Sequence, residues 1–252
     1  MKKYVICLLA ILLVPSLAIA LMAPGTGIKQ TAHDLSIAGG RGATYGVNDG
    51  TLDRICIYCH APHHTIKPGD ASTAGLTYYP LWNHDLSTTA TYTMYQNAAS
   101  ILDWPNSTQH QLNATLTQPG SVSKLCLSCH DGSVAVSSYG NFNGGISTSK
   151  NAGSIKVSGK FLIGGGNPGD LSNHHPIGFD YAQVALADGE IRDPSNELLG
   201  NHTTGMTIND LLFGGKMECA SCHDVHNTKN KGVKFTWVQD TNSDFCFSCH
   251  VK

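Results

Sequence analysis

Four short stretches of the 252-residue chain constrain it more than anything else: CIYCH at 56–60, CLSCH at 126–130, CASCH at 219–223 and CFSCH at 246–250. Each is C-x-x-C followed at once by histidine. The chain has nine cysteines. Eight lie in these pairs, and the ninth, Cys7, sits in an N-terminal apolar run. C-x-x-C pairs alone would fit disulfides or zinc, but neither needs histidine at a fixed fifth position. Thirteen histidines in the chain make four chance matches about a one in 10⁵ event.

That pattern attaches a c-type haem. Two thioether bonds hold the porphyrin, so both cysteines must lie on one side of a helical turn. The i, i+3 spacing does this. The next residue then aims its imidazole at the iron. Four haem c groups per chain follow, held by Cys56 and Cys59, Cys126 and Cys129, Cys219 and Cys222, and Cys246 and Cys249. The proximal ligands are His60, His130, His223 and His250. This uses every cysteine beyond Cys7, which leaves none for disulfides.

The N-terminus reads as a secretory signal over residues 1–20. Lys2 and Lys3 precede an apolar run, and Ala18-Ile-Ala20 is a small-x-small cleavage site. No later segment is apolar for long enough to span a bilayer, so the expectation is a soluble, exported chain. Without Lys2 and Lys3, fourteen of the sixteen basic residues face eighteen acidic ones, a formal charge of −4. There is no basic run, which argues against a nucleic-acid partner.

Each iron has a second axial position. Histidine there gives a lower potential than methionine. Met217 stands too close to Cys219 to reach the far face of that haem. Nine histidines are left for four distal positions: His33, His63, His64, His84, His110, His174, His175, His202 and His226. Chain reach narrows the choice. Two ligand Cα atoms across a haem are about 12 Å apart, whereas three residues span at most about 11 Å fully extended. His63 follows His60 by three residues, and His226 follows His223 by three. Neither can comfortably cap its own haem, so each is expected to serve another.

A pattern emerges: a lone histidine, then C-x-x-C-H-x-x-H, then a plain C-x-x-C-H. It occurs with His33, 56–63 and 126–130, and again with His175, 219–226 and 246–250. This is a degenerate internal repeat. It selects His33, His63, His175 and His226 as distal ligands, with His174, His64 and His84 as competitors. Asp131 and Asp224, each following a proximal histidine, could accept the N–H of a ligand imidazole. Thr51, Ser121 or Ser123, and Ser243 are the expected helix caps at three motifs.

Regular structure should be sparse. Only 13% of residues are charged, 27 are glycine, and helical periodicity is absent outside the haem motifs. The expected fold class is a multihaem cytochrome: mostly irregular coil, short helices at the motifs, a few short strands, wrapped around four stacked haems. Segments 154–165 and 184–192 read as hairpins, and 209–218 as a weak helix interrupted by Gly214-Gly215. One tetrahaem domain covers 21–252, with possible degenerate halves 21–150 and 151–252. Trp82, Trp104, Trp237 and Phe247 are aromatic residues suited to porphyrin edges. Asn106, Asn113 and Asn201 stand in N-x-S/T triplets.

The stretches TAHDLS (31–36), CIYCHAPH (56–63), PLWNH (80–84), CLSCHDGSVA (126–135), LSNHHPIGFDY (171–181), CASCHDVH (219–226) and CFSCH (246–250) together resemble extracellular tetrahaem cytochromes, most closely filament-forming cytochrome nanowires of the OmcE type. The resemblance spans nearly the whole mature chain. It implies a secreted electron-transfer protein with closely stacked bis-histidine haems and no enzyme activity of its own. It also implies a homopolymer in which a histidine of one subunit, His63 foremost, caps a haem of the next. Other redox proteins or extracellular acceptors are the implied partners. A monomeric periplasmic shuttle, a quinol dehydrogenase anchored by a retained N-terminal helix, and a multihaem reductase with an open iron are the alternatives.

Overall fold

A computed structural model describes residues 27–36, 54–63, 81–95, 116–140, 155–164, 167–200, 205–228 and 235–251. All four haem-attachment motifs lie within them. His64, His110, His202, Thr51, Trp104 and the three N-x-S/T asparagines lie outside.

The described chain is mostly coil. Four helices occur: α1 (Ser121–His130), α2 (Tyr181–Ala187), α3 (Cys219–Cys222) and α4 (Asp244–Cys249). A two-residue strand β1 (Phe179–Asp180) pairs antiparallel with β2 (Lys216–Met217). Single 3₁₀ turns cover Cys56–Tyr58, Gly159–Phe161 and Ile208–Leu211. Three of the four helices are haem-attachment motifs.

The short elements explain themselves. Helix α2 starts where the Asp180 carboxylate accepts the Gln183 N–H, an N-cap bond. This corrects the hairpin expected over 184–192. A short apolar run does not reveal its period, and the Asp180 cap settles it as helix. Gly159–Phe161 likewise forms a 3₁₀ turn in place of the hairpin expected at 154–165. In place of the weak helix expected over 209–218, a 3₁₀ turn stops at Leu211, and Gly214 and Gly215 turn the chain back with positive φ. Gly120, not a serine, occupies the N-cap of α1. Ser243 does occupy the N-cap of α4, but its side chain makes no cap bond.

The largest apolar cluster joins Phe179, Tyr181, Val184, Leu198, Ile208, Leu211, Met217 and Val238, with Trp237, Cys222 and Cys249 packed against it. It lies beneath the last two motifs. A second holds Tyr92, Met94, Leu127 and Leu171. Two small ones, Tyr58 with Tyr139 and Trp82 with Leu125, both touch Cys59. The apolar interior is therefore divided and gathers at the motifs. No helix among the described residues is long and apolar enough to cross a membrane.

Candidate haem sites

Each motif turns its two cysteines one way and its third residue the other. That residue is Ser128, Ser221 or Ser248 in three motifs and Tyr58 in the fourth, and all four are buried. Burial demands a hydrogen-bond partner for each hydroxyl. Ser128 donates to the Leu125 carbonyl at 2.6 Å and Ser248 to the Asp244 carbonyl at 2.9 Å. Ser221 accepts the Glu218 N–H at 2.9 Å. Tyr58 packs edge-on to Tyr139. The motif is thus anchored on its back and presents sulfur on its front.

Three motifs share a clasp. His60 forms an isolated antiparallel bridge with Trp82, His223 with Thr236 and His250 with Ile191. The residue after each bridge partner then holds the motif twice. Its N–H donates to the second cysteine's carbonyl: Asn83 to Cys59 at 2.8 Å, Trp237 to Cys222 at 3.2 Å, Arg192 to Cys249 at 2.8 Å. Its side chain donates to the carbonyl after the first cysteine: Asn83 Nδ2 to Ile57 at 2.6 Å, Trp237 Nε1 to Ala220 at 2.8 Å, Arg192 Nε to Phe247 at 2.8 Å. The second motif, inside the longer α1, lacks the clasp because Asp131 N–H takes the Leu127 carbonyl at 3.1 Å. There Ile163 N–H reaches the His130 carbonyl at 2.8 Å. Nothing in the sequence marks these clasps. The donors differ in type and lie at unrelated distances along the chain, after the motif in two cases and before it in one.

Three proximal imidazoles each face another histidine. Ring centroids are 5.9 Å apart for His33 and His130, 6.0 Å for His60 and His226, and 6.3 Å for His175 and His250. Two imidazoles bracketing one metal through bonds of about 2 Å have ring centres about 6 Å apart, so each pair has the spacing that a six-coordinate haem iron requires. The interplanar angles are 79°, 22° and 76° in the same order.

Hydrogen bonds leave the right nitrogens available. His130 directs Nδ1 to the Phe161 carbonyl at 2.8 Å, and His175 directs Nδ1 to the Pro176 carbonyl at 2.9 Å. Nε2 of each could then bind metal, oriented by the outer partner. His33 bonds the Val225 backbone, and burial first, then the nearby His130, lowers its pKa to about 4. A neutral imidazole is the form a metal needs.

The competitors are engaged elsewhere. His174 Nε2 accepts the Gly164 N–H at 3.0 Å. His84 is buried, its Nδ1 2.7 Å from the Asp85 carbonyl and its Nε2 3.1 Å from the Ala135 carbonyl. His63 is exposed and belongs to none of the three imidazole pairs.

Asp131 and Asp224 do not orient ligand imidazoles. Buried Asp131 collects Ser87, Thr89 and Tyr92 hydroxyls and the Ser133 N–H, with the Phe161 carbonyl taking His130 instead. Asp224 bonds the backbone of His226 and Thr228 and the Thr228 hydroxyl.

The cysteine sulfurs link one motif to the next. Cys126 and Cys219 are hydrogen-bonded to each other, Cys59 lies near Cys129, and Cys222 near Cys249. Burial first pushes Cys59, Cys129 and Cys222 up to about 12, so these are not thiolate nucleophiles. None of the eight motif cysteines forms a disulfide. Among the described residues no group of three or more histidine, cysteine or acidic side chains could hold a bare metal ion. Paired imidazoles beside paired cysteines suit a porphyrin, which brings four nitrogen ligands of its own.

Residues 213–252 match the family described as the doubled CXXCH motif. This pairing points to a multihaem c-type cytochrome. The CXXCH motifs indicate covalently bound haem c, and with it an electron-transfer role. No curated protein matches the chain.

Proposed function

We propose that this chain is a secreted tetrahaem cytochrome that conducts electrons along four bis-histidine haems and polymerises into an extracellular filament. The observation that carries the reading is the trio of imidazole pairs at 5.9, 6.0 and 6.3 Å, each joining a C-x-x-C-H histidine to one outside that motif. His226 then serves the haem of Cys56 and Cys59, His33 that of Cys126 and Cys129, and His175 that of Cys246 and Cys249.

Bound haem c supplies a one-electron iron couple. The chain does the rest. Its paired imidazoles would hold each of those irons from both sides, which would leave no place for a substrate. The clasps fix His60, His223 and His250 relative to their cysteines, which limits movement when charge changes. The sulfur-to-sulfur neighbours, first motif to second, second to third and third to fourth, support a row of haems in chain order.

Polymerisation rests on His63. It is exposed, it cannot comfortably cap its own haem, and it belongs to none of the three pairs. In this reading it enters the next copy and caps an iron there. The decisive experiment is His63→Ala, with secreted material viewed by negative-stain microscopy and its haem count read by intact mass. The expected result is four haems per chain with filaments lost. Wild-type material that stays monomeric would instead favour a periplasmic shuttle. A high-spin ferric signal in the wild type would favour a reductase with an open iron.

A further inference from the structure

Phe235 is an outlier in two respects. Its backbone has φ +62°, a left-handed conformation that is costly for a bulky residue. Its ring lies flat on the imidazole of His33, with centroids 4.9 Å apart and planes 11° apart. Strained backbone persists where surrounding structure holds it, and it concentrates at functional positions. Here the surroundings are identifiable. Phe235 carbonyl accepts the Asp224 N–H at 2.5 Å, and the next residue, Thr236, forms the bridge with His223. The chain is pinned on one side of Phe235, and the left-handed turn sets the ring over His33.

His33 is held at its rim by the Val225 backbone and on its face by Phe235. A hydrogen bond through one nitrogen fixes where the other points, but it leaves the ring able to rotate about that line. A flat aromatic neighbour stops the rotation. The plane of His33 therefore stays at 79° to that of His130.

We infer that Phe235 is a positioning residue that fixes the imidazole plane of His33, and through it the electronic ground state of the haem shared with His130. This rests on the ligand assignment proposed above. An axial imidazole donates π density into one iron d orbital, chosen by its plane. Parallel planes raise one orbital of the degenerate pair, and the two separate. Crossed planes raise both, so they stay nearly equal. The gap is read directly in the paramagnetic resonance of the oxidised, low-spin iron: a large gap gives a rhombic signal, a small one a highly anisotropic signal with a large maximum g. The orbital that holds the unpaired electron is also the one that exchanges it with a neighbour.

The test uses the full secreted cytochrome with its haems. Phe235→Gly removes the ring while relieving the left-handed backbone. Phe235→Leu removes only the flat face, and Phe235→Tyr preserves it. The wild type is expected to show the highly anisotropic signal from the His33–His130 and His175–His250 pairs. In Phe235→Gly and Phe235→Leu that signal should fall to about half, with a rhombic signal in its place and the low-spin optical spectrum intact. Phe235→Tyr should match the wild type. His33→Ala should turn one haem high-spin. If His33→Ala leaves every haem low-spin, the ligand assignment is wrong and the inference goes with it. If His33→Ala gives the high-spin haem but neither ring-deleting variant changes the resonance, only the role of Phe235 is overturned.

Discussion

The ring of His226 lies 6.0 Å from that of His60 and 22° from parallel to it. His226 follows the third motif, and His60 ends the first. A histidine three residues beyond a proximal ligand is thus brought to a motif more than 160 positions away in the chain, as the limit on chain reach requires for any use at an iron. Substituting His226→Ala should leave the haem of Cys56 and Cys59 with one axial imidazole. Because this pair alone of the three is near-parallel, the rhombic low-spin signal should lose the corresponding component while the highly anisotropic one persists. Paramagnetic resonance of the oxidised variant checks this, and loss of the anisotropic signal instead would contradict the pairing.

Two adjacent histidines make a sharper contrast. His175 faces His250 at 6.3 Å, whereas His174 accepts the Gly164 N–H through Nε2. Replacing His175 with alanine should convert one haem to high spin. Replacing His174 should leave every haem low-spin and cost about 1 kcal/mol, the worth of a single hydrogen bond. Optical spectra together with chemical unfolding separate the two. The same spectrum from both variants would refute the assignment.

Much of this was legible in the sequence, and the reasons are physical. C-x-x-C-H is a covalent requirement, so its spacing cannot drift. The mostly coil fold followed from low charge, abundant glycine and missing periodicity, and the described residues hold only short helices and one two-residue strand pair. What stayed hidden depends on long-range placement. The carbonyls of Ile57, Ala220 and Phe247 are each clasped, but by an amide, an indole and a guanidinium. Such a function belongs to a backbone carbonyl and accepts any donor, so it leaves no residue pattern. Asp131 illustrates the opposite error: proximity in sequence to His130 suggested a bond that the Phe161 carbonyl makes instead.

The Arg192 clasp can be probed directly. Its Nε bond to the Phe247 carbonyl is a charge-assisted bond that ties the last motif to the Ile191 bridge. Arg192→Met keeps most of the stem and removes the donor. It should lower stability by about 1.5–3 kcal/mol, seen in guanidinium unfolding followed at the Soret band. Arg192→Lys should not restore it fully, since a single flexible ammonium does not reproduce the planar donor. A variant as stable as the wild type would show that the clasp contributes nothing.

Glu218 joins the second motif to the third. Its buried carboxylate accepts the Gly120 N–H at the start of α1 and the Ser123 hydroxyl, and Ser123 in turn accepts the Cys219 N–H at 2.9 Å. Glu218→Ala leaves those donors unmet and should cost about 1–3 kcal/mol for each group stranded in the interior. The pH dependence tells more. Burial raises the Glu218 pKa above the usual 4.5, with the bonds from Ser123 and Gly120 opposing. The folded chain then holds this proton more tightly than the unfolded chain. The linked stability is fully present below the ordinary carboxylate pKa and is lost as pH rises through the raised folded value. Glu218→Gln cannot titrate and keeps the shape of the protonated acid. Its stability relative to the wild type should therefore increase across that window, from mildly acidic towards neutral pH, in paired unfolding curves. A difference that stays flat, or that shifts towards the wild type with rising pH, would mean that the bonds from α1 outweigh the cost of burying the charge.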